Sequence, residues 1–225
     1  MLFKSFIMNT LFTSYKCDQS EPIIQMIIKR WKLLNPDFNI RYFSDKDVYD
    51  FFKNSPYFET YNKLKNGVAI ADFFRICYIY ENGGYWFDID LEPISICIPS
   101  DGKAHLFDCG FKNISYMLIG GTKNKLFKAV INEVTKRIDE NYITKKRHLM
   151  EITGPRIIQE IVFNILKINN VDGNFPGTSS AKTYLTGTDF EFKYMLQPIQ
   201  QTKTNLYHVL QKKYKKHHYT AYNFI

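Results

Sequence analysis

Cysteine is scarce in this sequence. Cys17, Cys77, Cys97 and Cys109 are spread over 225 residues with no CxxC spacing, which excludes a disulfide framework and argues against a structural zinc site. Thiols so placed read as reduced and mostly packed, as in an intracellular protein. Long apolar runs are absent too. Nothing approaches the roughly 20 residues that span a bilayer. The apolar start MLFKSFIMNTLF is interrupted by Lys4, Asn9 and Thr10, with no small-residue cleavage site after it. The expectation is a soluble chain without a transmembrane anchor, cytoplasmic or otherwise intracellular. No repeat with a period of about 20–50 residues and no low-complexity tract is visible. No Ser–His–Asp or Cys–His arrangement is legible either, so a protein nucleophile is not expected.

What is present is enough apolar material for a sizeable core: 45% of the 225 residues are hydrophobic, which argues for one large folded domain and against disorder. Basic residues outnumber acidic ones 30 to 22, a net charge of +8, and such a surface favours anionic partners. Part of that excess is the run QKKYKKHH at 211–218, which by itself reads as a solvated face or tail.

Along the chain, strands and helices alternate. FKSFIMNT (3–10) reads as a buried first strand. PIIQMIIKRWKLL follows with Pro22 at a helix start and ends before Asn35-Pro36. FNIRYF (38–43) alternates like a strand, Ser44 is placed to cap a helix over 45–54, and a further helical stretch lies around 57–65. The segment 67–84 is apolar on every face of a helix, as a buried helix is, and glycines close it. YWFDID (85–90), AHLFD (104–108), SYMLIG (115–120) and FKYMLQP (192–198) read as strands. Residues 124–140 and 154–168 read as helices. This alternation predicts an α/β domain with a largely parallel or mixed sheet.

The chemistry concentrates in ADFFRICYIYENGGYWFDID. If YWFDID is a strand, Asp88 and Asp90 stand at i and i+2 and face one side. Two adjacent carboxylates repel unless a cation joins them, and oxygen ligands suit a hard divalent ion. Their position at a strand's carboxyl end is where open α/β sheets bind ligands. Ordinary turn chemistry after a strand would also explain the two acids. Asp72 and Arg75, however, are the only charged side chains between Lys65 and Glu81. At i, i+3 they share a helix face, and burial requires that they pair or meet a polar ligand. A purely architectural pair is the plain alternative.

This pattern (Asp, Arg three residues on, then Gly-Gly, an aromatic, and Asp-x-Asp) resembles the sugar-transfer signature of glycosyltransferase family 32. Asp72, Arg75, Gly83, Gly84, Trp86, Asp88 and Asp90 match it. The family includes initiating mannosyltransferases and capsular or viral glycan enzymes, and the same spacing occurs in the glucosyltransferase domains of large clostridial toxins. RWKLLNPDFNIRYFSDKD, TGP at 153–155 and KKHHY near the end resemble further segments of the family. The resemblance implies a GT-A type fold: a Rossmann-like mixed sheet flanked by helices, in a single domain with helical additions. Residues 1–120 would form the nucleotide-sugar and metal-binding core, and 121–225 the acceptor side and basic segment. It implies a retaining, metal-dependent transferase that moves a hexose from GDP-mannose or a UDP-hexose to a glycan or other hydroxyl acceptor. Asp90 would ligate Mn²⁺ (or Mg²⁺), with Asp88 holding the donor and reaching the metal through water, and His218 joining them. Asp72, Arg75, Gly84 and Asn9 would contact the donor. Asp88, Asp90 and Arg75 would carry catalysis.

Two other classes use the same features. A metal-dependent nuclease or phosphotransferase would employ the carboxylates but usually needs further clustered acids. A non-catalytic module would bind nucleic acid or glycans through the basic tail. Neither accounts for Asp72 and Arg75, and no nucleic-acid partner is expected.

Overall fold

The structure, a computed structural model, describes residues 10–97, 102–108, 114–140, 149–166 and 192–195. The elements run β1 (Thr10–Ser14), α1 (Pro22–Leu34), β2 (Asn39–Phe43), α2 (Asp45–Lys53), α3 (Phe58–Lys63), α4 (Gly67–Asn82), β3 (Gly84–Phe87), β4 (Ala104–Asp108), β5 (Ile114–Gly121), α5 (Lys125–Asp139), α6 (Leu149–Ile152), α7 (Pro155–Leu166) and β6 (Phe192–Met195). The strands form a six-stranded sheet in the order β2-β1-β3-β5-β4-β6. β1 pairs parallel with β2 and β3, β5 runs antiparallel to β3 and β4, and β6 is parallel to β4. The expected mixed sheet is present. It draws strands from both sides of residue 120, and β5 itself crosses that position.

Alternation along the strands divides the core in two. Phe12 and Trp86 face the layer of α2, α4, α5 and α7, where Phe52, Phe74, Phe127 and Ile158 are sealed from solvent. Leu11, Tyr85 and Phe87 face α1, packing on Ile24, Ile27 and Trp31. The Trp31 and Phe87 rings lie 4.3 Å apart. α4 is buried through most of its length, as its all-round apolar sequence requires.

Local chemistry sets the boundaries. Ser44 caps α2 through a capping box with Asp47: each side chain accepts from the other residue's backbone N–H. Asn66 accepts from Val68 N at 2.8 Å and starts α4. At its end the Gly83 N–H donates to Ile79 O at 2.8 Å while Gly83 adopts φ +71°, a left-handed stop that favours glycine.

Two expectations change. The first strand was expected over 3–10. Of those residues only Thr10 is described, and the described strand continues to Ser14. The strand expected over 85–90 ends at Phe87. Beyond it Leu91 N donates to Asp88 O at 2.9 Å, closing a turn. Asp88 and Asp90 therefore lie in a turn and not on a strand. The apolar alternation seemed to prolong the strand because Ile89 and Leu91 are buried, anchoring the turn in the core beneath α1.

Candidate active site

α4 and β3 form a helix-to-strand reversal, and its dimensions bring the charged residues together. From Gly83 back to Arg75 the helix covers roughly 12 Å, at about 1.5 Å per residue. From Gly84 forward to Asp88 the strand covers about 13 Å. The two arms are matched, so Arg75 and Asp88 meet at the far end. The reversal is tight at Gly84, which has φ +108° and lies so close to β1 that a Cβ there would sit 2.9 Å from Thr10 O.

Arg75 is the centre of the cluster. Its Nη2 lies 3.1 Å from Asp72 Oδ1 and its Nη1 3.1 Å from Asp88 Oδ1. Nη1 also donates to Tyr116 O at 2.6 Å, and Nε donates to Ala71 O at 3.2 Å. The guanidinium carbon stands 4.5 Å from the Trp86 ring centre and 5.5 Å from that of Tyr116, in cation–π range of both. Thr153 Oγ1 approaches Asp72 Oδ2 at 3.4 Å. Trp86 Nε1 donates to Asp88 Oδ1 at 2.7 Å. Asp72, Arg75, Trp86 and Tyr116 are buried, and the Asp88 side chain keeps 27% of its exposure.

The three carboxylates differ in surroundings. Burial pushes the Asp72 carboxyl up to about 6, against the pull of Arg75. Asp90 is likewise raised to about 6, by burial first and by the neighbouring Asp88 charge second. Asp88 divides its oxygens: Oδ1 takes the bond from Trp86 and the contact with Arg75, while Oδ2 takes no hydrogen bond from the described residues.

Asp88 and Asp90 fit a hard divalent cation. Both are partly exposed oxygen donors, and the Asp88 charge opposes the ionisation of Asp90, a repulsion that a cation held between them relieves. Among the described residues no group of three or more His, Cys, Asp or Glu could hold a metal ion. Gly84 stands apart from the charged cluster. It begins β3, a strand's length from Asp88, and its lack of a side chain serves the close approach to Thr10. Asn9, His217 and His218 lie outside the described residues. No helix among the described residues is long and apolar enough to cross a membrane.

Residues 23–101 match the family described as the glycosyltransferase sugar-binding region containing the DXD motif. That stretch contains α4, β3 and the Asp88–Leu91 turn, and so all four charged residues of the cluster. The fold is similar to the solved structure of the PaToxG glycosyltransferase, with a TM-score of 0.52 and 14% identity over 73% of this chain and 70% of that one. At that identity the likeness shows the fold, and it bears out the expected GT-A type α/β architecture. No curated protein matches the chain.

Sequence reasoning missed what surrounds the charges of this cluster. Trp86 stood in the motif, but the hydrogen-bonding role of its indole went unread. Tyr116 contributes a main-chain carbonyl, which leaves no trace in side-chain patterns. Its own hydroxyl is buried and has no hydrogen-bond partner among the described residues. Thr153 stood in the quoted TGP, yet nothing in the sequence linked it to Asp72.

Proposed function

We propose that the protein is a metal-dependent, retaining hexosyltransferase that takes its sugar from a GDP- or UDP-linked donor and delivers it to a glycan or other hydroxyl acceptor. The observation that carries this reading is the contact of Asp88, in the turn after β3 that also holds Asp90, with the buried Asp72–Arg75 pair, within residues that match a DXD-type sugar-binding region.

Asp90, with Asp88 beside it, would hold Mn²⁺ or Mg²⁺, and the chemistry supplied there is neutralisation of the charge that develops on a departing nucleoside diphosphate. The side chains of this protein do the rest. Asp88 orients the donor through its second oxygen. Asp72 and Arg75 sit behind it and align the sugar so that its anomeric carbon faces the acceptor, a positional contribution that accounts for much of the rate. The near-complete burial of that pair keeps the field strong, because water does not screen it. Asp72 and Asp88 are engaged with Arg75 and Asp90 is assigned to the cation, so we favour a front-face transfer without a covalent intermediate.

The reading is tested by incubating the protein with a panel of GDP- and UDP-sugars, with Mn²⁺ and then with excess chelator. Free hexose with the donor's own anomeric configuration, produced from one donor and lost with the chelator, is the expected outcome. Activity indifferent to the chelator sinks the metal assignment, and an inverted product sinks the retaining one.

A further inference from the structure

We propose that Trp86 is the positioning residue for Asp88: its indole N–H fixes one carboxylate oxygen so that the other is presented to the cation and donor. This deepens the proposed function and rests on it.

Three observations converge. First, Nε1 of Trp86 donates to Asp88 Oδ1 at 2.7 Å, closer than the 3.1 Å contact of that oxygen with Arg75. The two residues stand at i and i+2, and Asp88 N still donates to Met117 O at 2.8 Å, prolonging the pairing of β3 with β5. Both side chains consequently leave the backbone on one side. Second, the same indole carries Arg75 on its face at 4.5 Å, and Arg75 Nη1 reaches the same oxygen, Oδ1, at 3.1 Å. Third, the indole itself cannot turn. Trp86 is 2% exposed and is held edge-on by Phe12 at 5.6 Å and Phe74 at 6.3 Å.

The chemistry needs tryptophan. Phenylalanine offers Arg75 a face but has no donor for Asp88, and tyrosine would place its hydroxyl at the ring's far tip. With the N–H present, Oδ1 is committed to the indole and the carboxylate stands across the guanidinium with Oδ2 clear. Without it, Asp88 is free to rotate into Arg75 and form the paired, two-point contact that guanidinium and carboxylate favour. Both oxygens would then be withdrawn from the ligand. Outer partners of this kind set ligand orientation and typically alter metal affinity about 10–100-fold.

The test measures Mn²⁺ affinity directly, by electron paramagnetic resonance of free Mn²⁺, without donor or acceptor. It compares the wild type, Trp86→Phe, and a protein carrying 3-benzothienylalanine at position 86. That last residue keeps the ring's shape and its face for Arg75 but replaces the N–H with sulfur, so the core packing survives even if Trp86→Phe fails to fold. The expected result is Mn²⁺ binding weakened about 10-fold or more in the benzothienyl protein, with an unchanged melting temperature. Equal affinity in wild type and benzothienyl protein overturns the role of Trp86 and leaves the metal reading standing. No Mn²⁺ binding by the wild type overturns the metal reading itself, and this inference with it.

Discussion

Among the described residues two arginines are buried, and they sit in contrasting company. Arg137, 7% exposed, joins three helices: Nε donates to Glu133 at 2.8 Å and Nη2 to Glu160 at 2.6 Å, and Nη1 donates to Glu151 O. Arg75, 5% exposed, contacts Asp72 and Asp88. The carboxylates of Arg137 are 30% and 47% exposed and stand on helix faces that reach water. Those of Arg75 are 9% and 27% exposed and lie where the sheet's strands end, with Asp90 two residues away. A buried arginine with two acids is therefore no mark of a site. The mark is acids that are themselves largely desolvated, crowded together, and set at the carboxyl edge of the sheet, where ligands bind.

Replacing each arginine with alanine sharpens this contrast most. Arg75→Ala strands Asp72 in the interior and is expected to cost about 3–5 kcal/mol of stability. It should also raise the donor KM in whatever protein remains folded. Arg137→Ala leaves its glutamates to water and is expected to cost about 1–3 kcal/mol, with donor KM unchanged. Denaturant melts and donor kinetics check both. Equal kinetic losses would erase the distinction.

The second expected effect is on pH. Asp90 titrates near 6 in the folded protein, above the ordinary aspartate value, so the folded state holds a proton that the unfolded chain releases. Its contribution to stability is full below about pH 4 and is lost as pH rises through about 6. On the proposed metal reading Mn²⁺ competes with that proton, so its affinity is expected to fall as pH drops below about 6. Asp90→Asn should flatten its share of the stability slope and stabilise the metal-free protein by on the order of 1 kcal/mol. Melting curves across pH 4–8 check the sign. A slope that steepens in the variant would contradict it.

The smallest effect concerns Tyr116, whose hydroxyl is buried with no hydrogen-bond partner among the described residues. Tyr116→Phe removes an unpaired polar group and keeps the ring beside Arg75. It should raise stability by about 1 kcal/mol and leave donor KM unchanged. A drop in stability would show that the hydroxyl is satisfied by bound water.

Most elements were legible because their signals are local. Pro22 opens α1, Ser44 and Asp47 form the capping box of α2, and α4 is apolar all round. The convergence of Asp72, Arg75 and Asp88 was legible for the same reason: one helix, one glycine turn and one strand fix it. The error was instructive. The same-side rule was applied to Asp88 and Asp90, but the strand stops at Phe87, and the rule holds instead for Trp86 and Asp88. Buried Ile89 and Leu91 imitate a continuing strand because they anchor a turn. The Tyr116 carbonyl and Thr153 were illegible because they arrive from β5 and from the α6–α7 turn, both distant in sequence. The four-residue helix α6 is too short to carry a periodic signal.

The central claim is that the Asp88–Asp90 turn holds a divalent cation for use of a nucleotide-sugar donor. Its most direct test is Asp90→Ala against wild type in Mn²⁺-dependent donor hydrolysis, with folding verified by circular dichroism. The account predicts a loss on the order of 10²-fold or more, comparable to removing one electrostatic partner of a transition state, and no further loss on adding chelator. Hydrolysis at the wild-type rate, still sensitive to chelator, would contradict it.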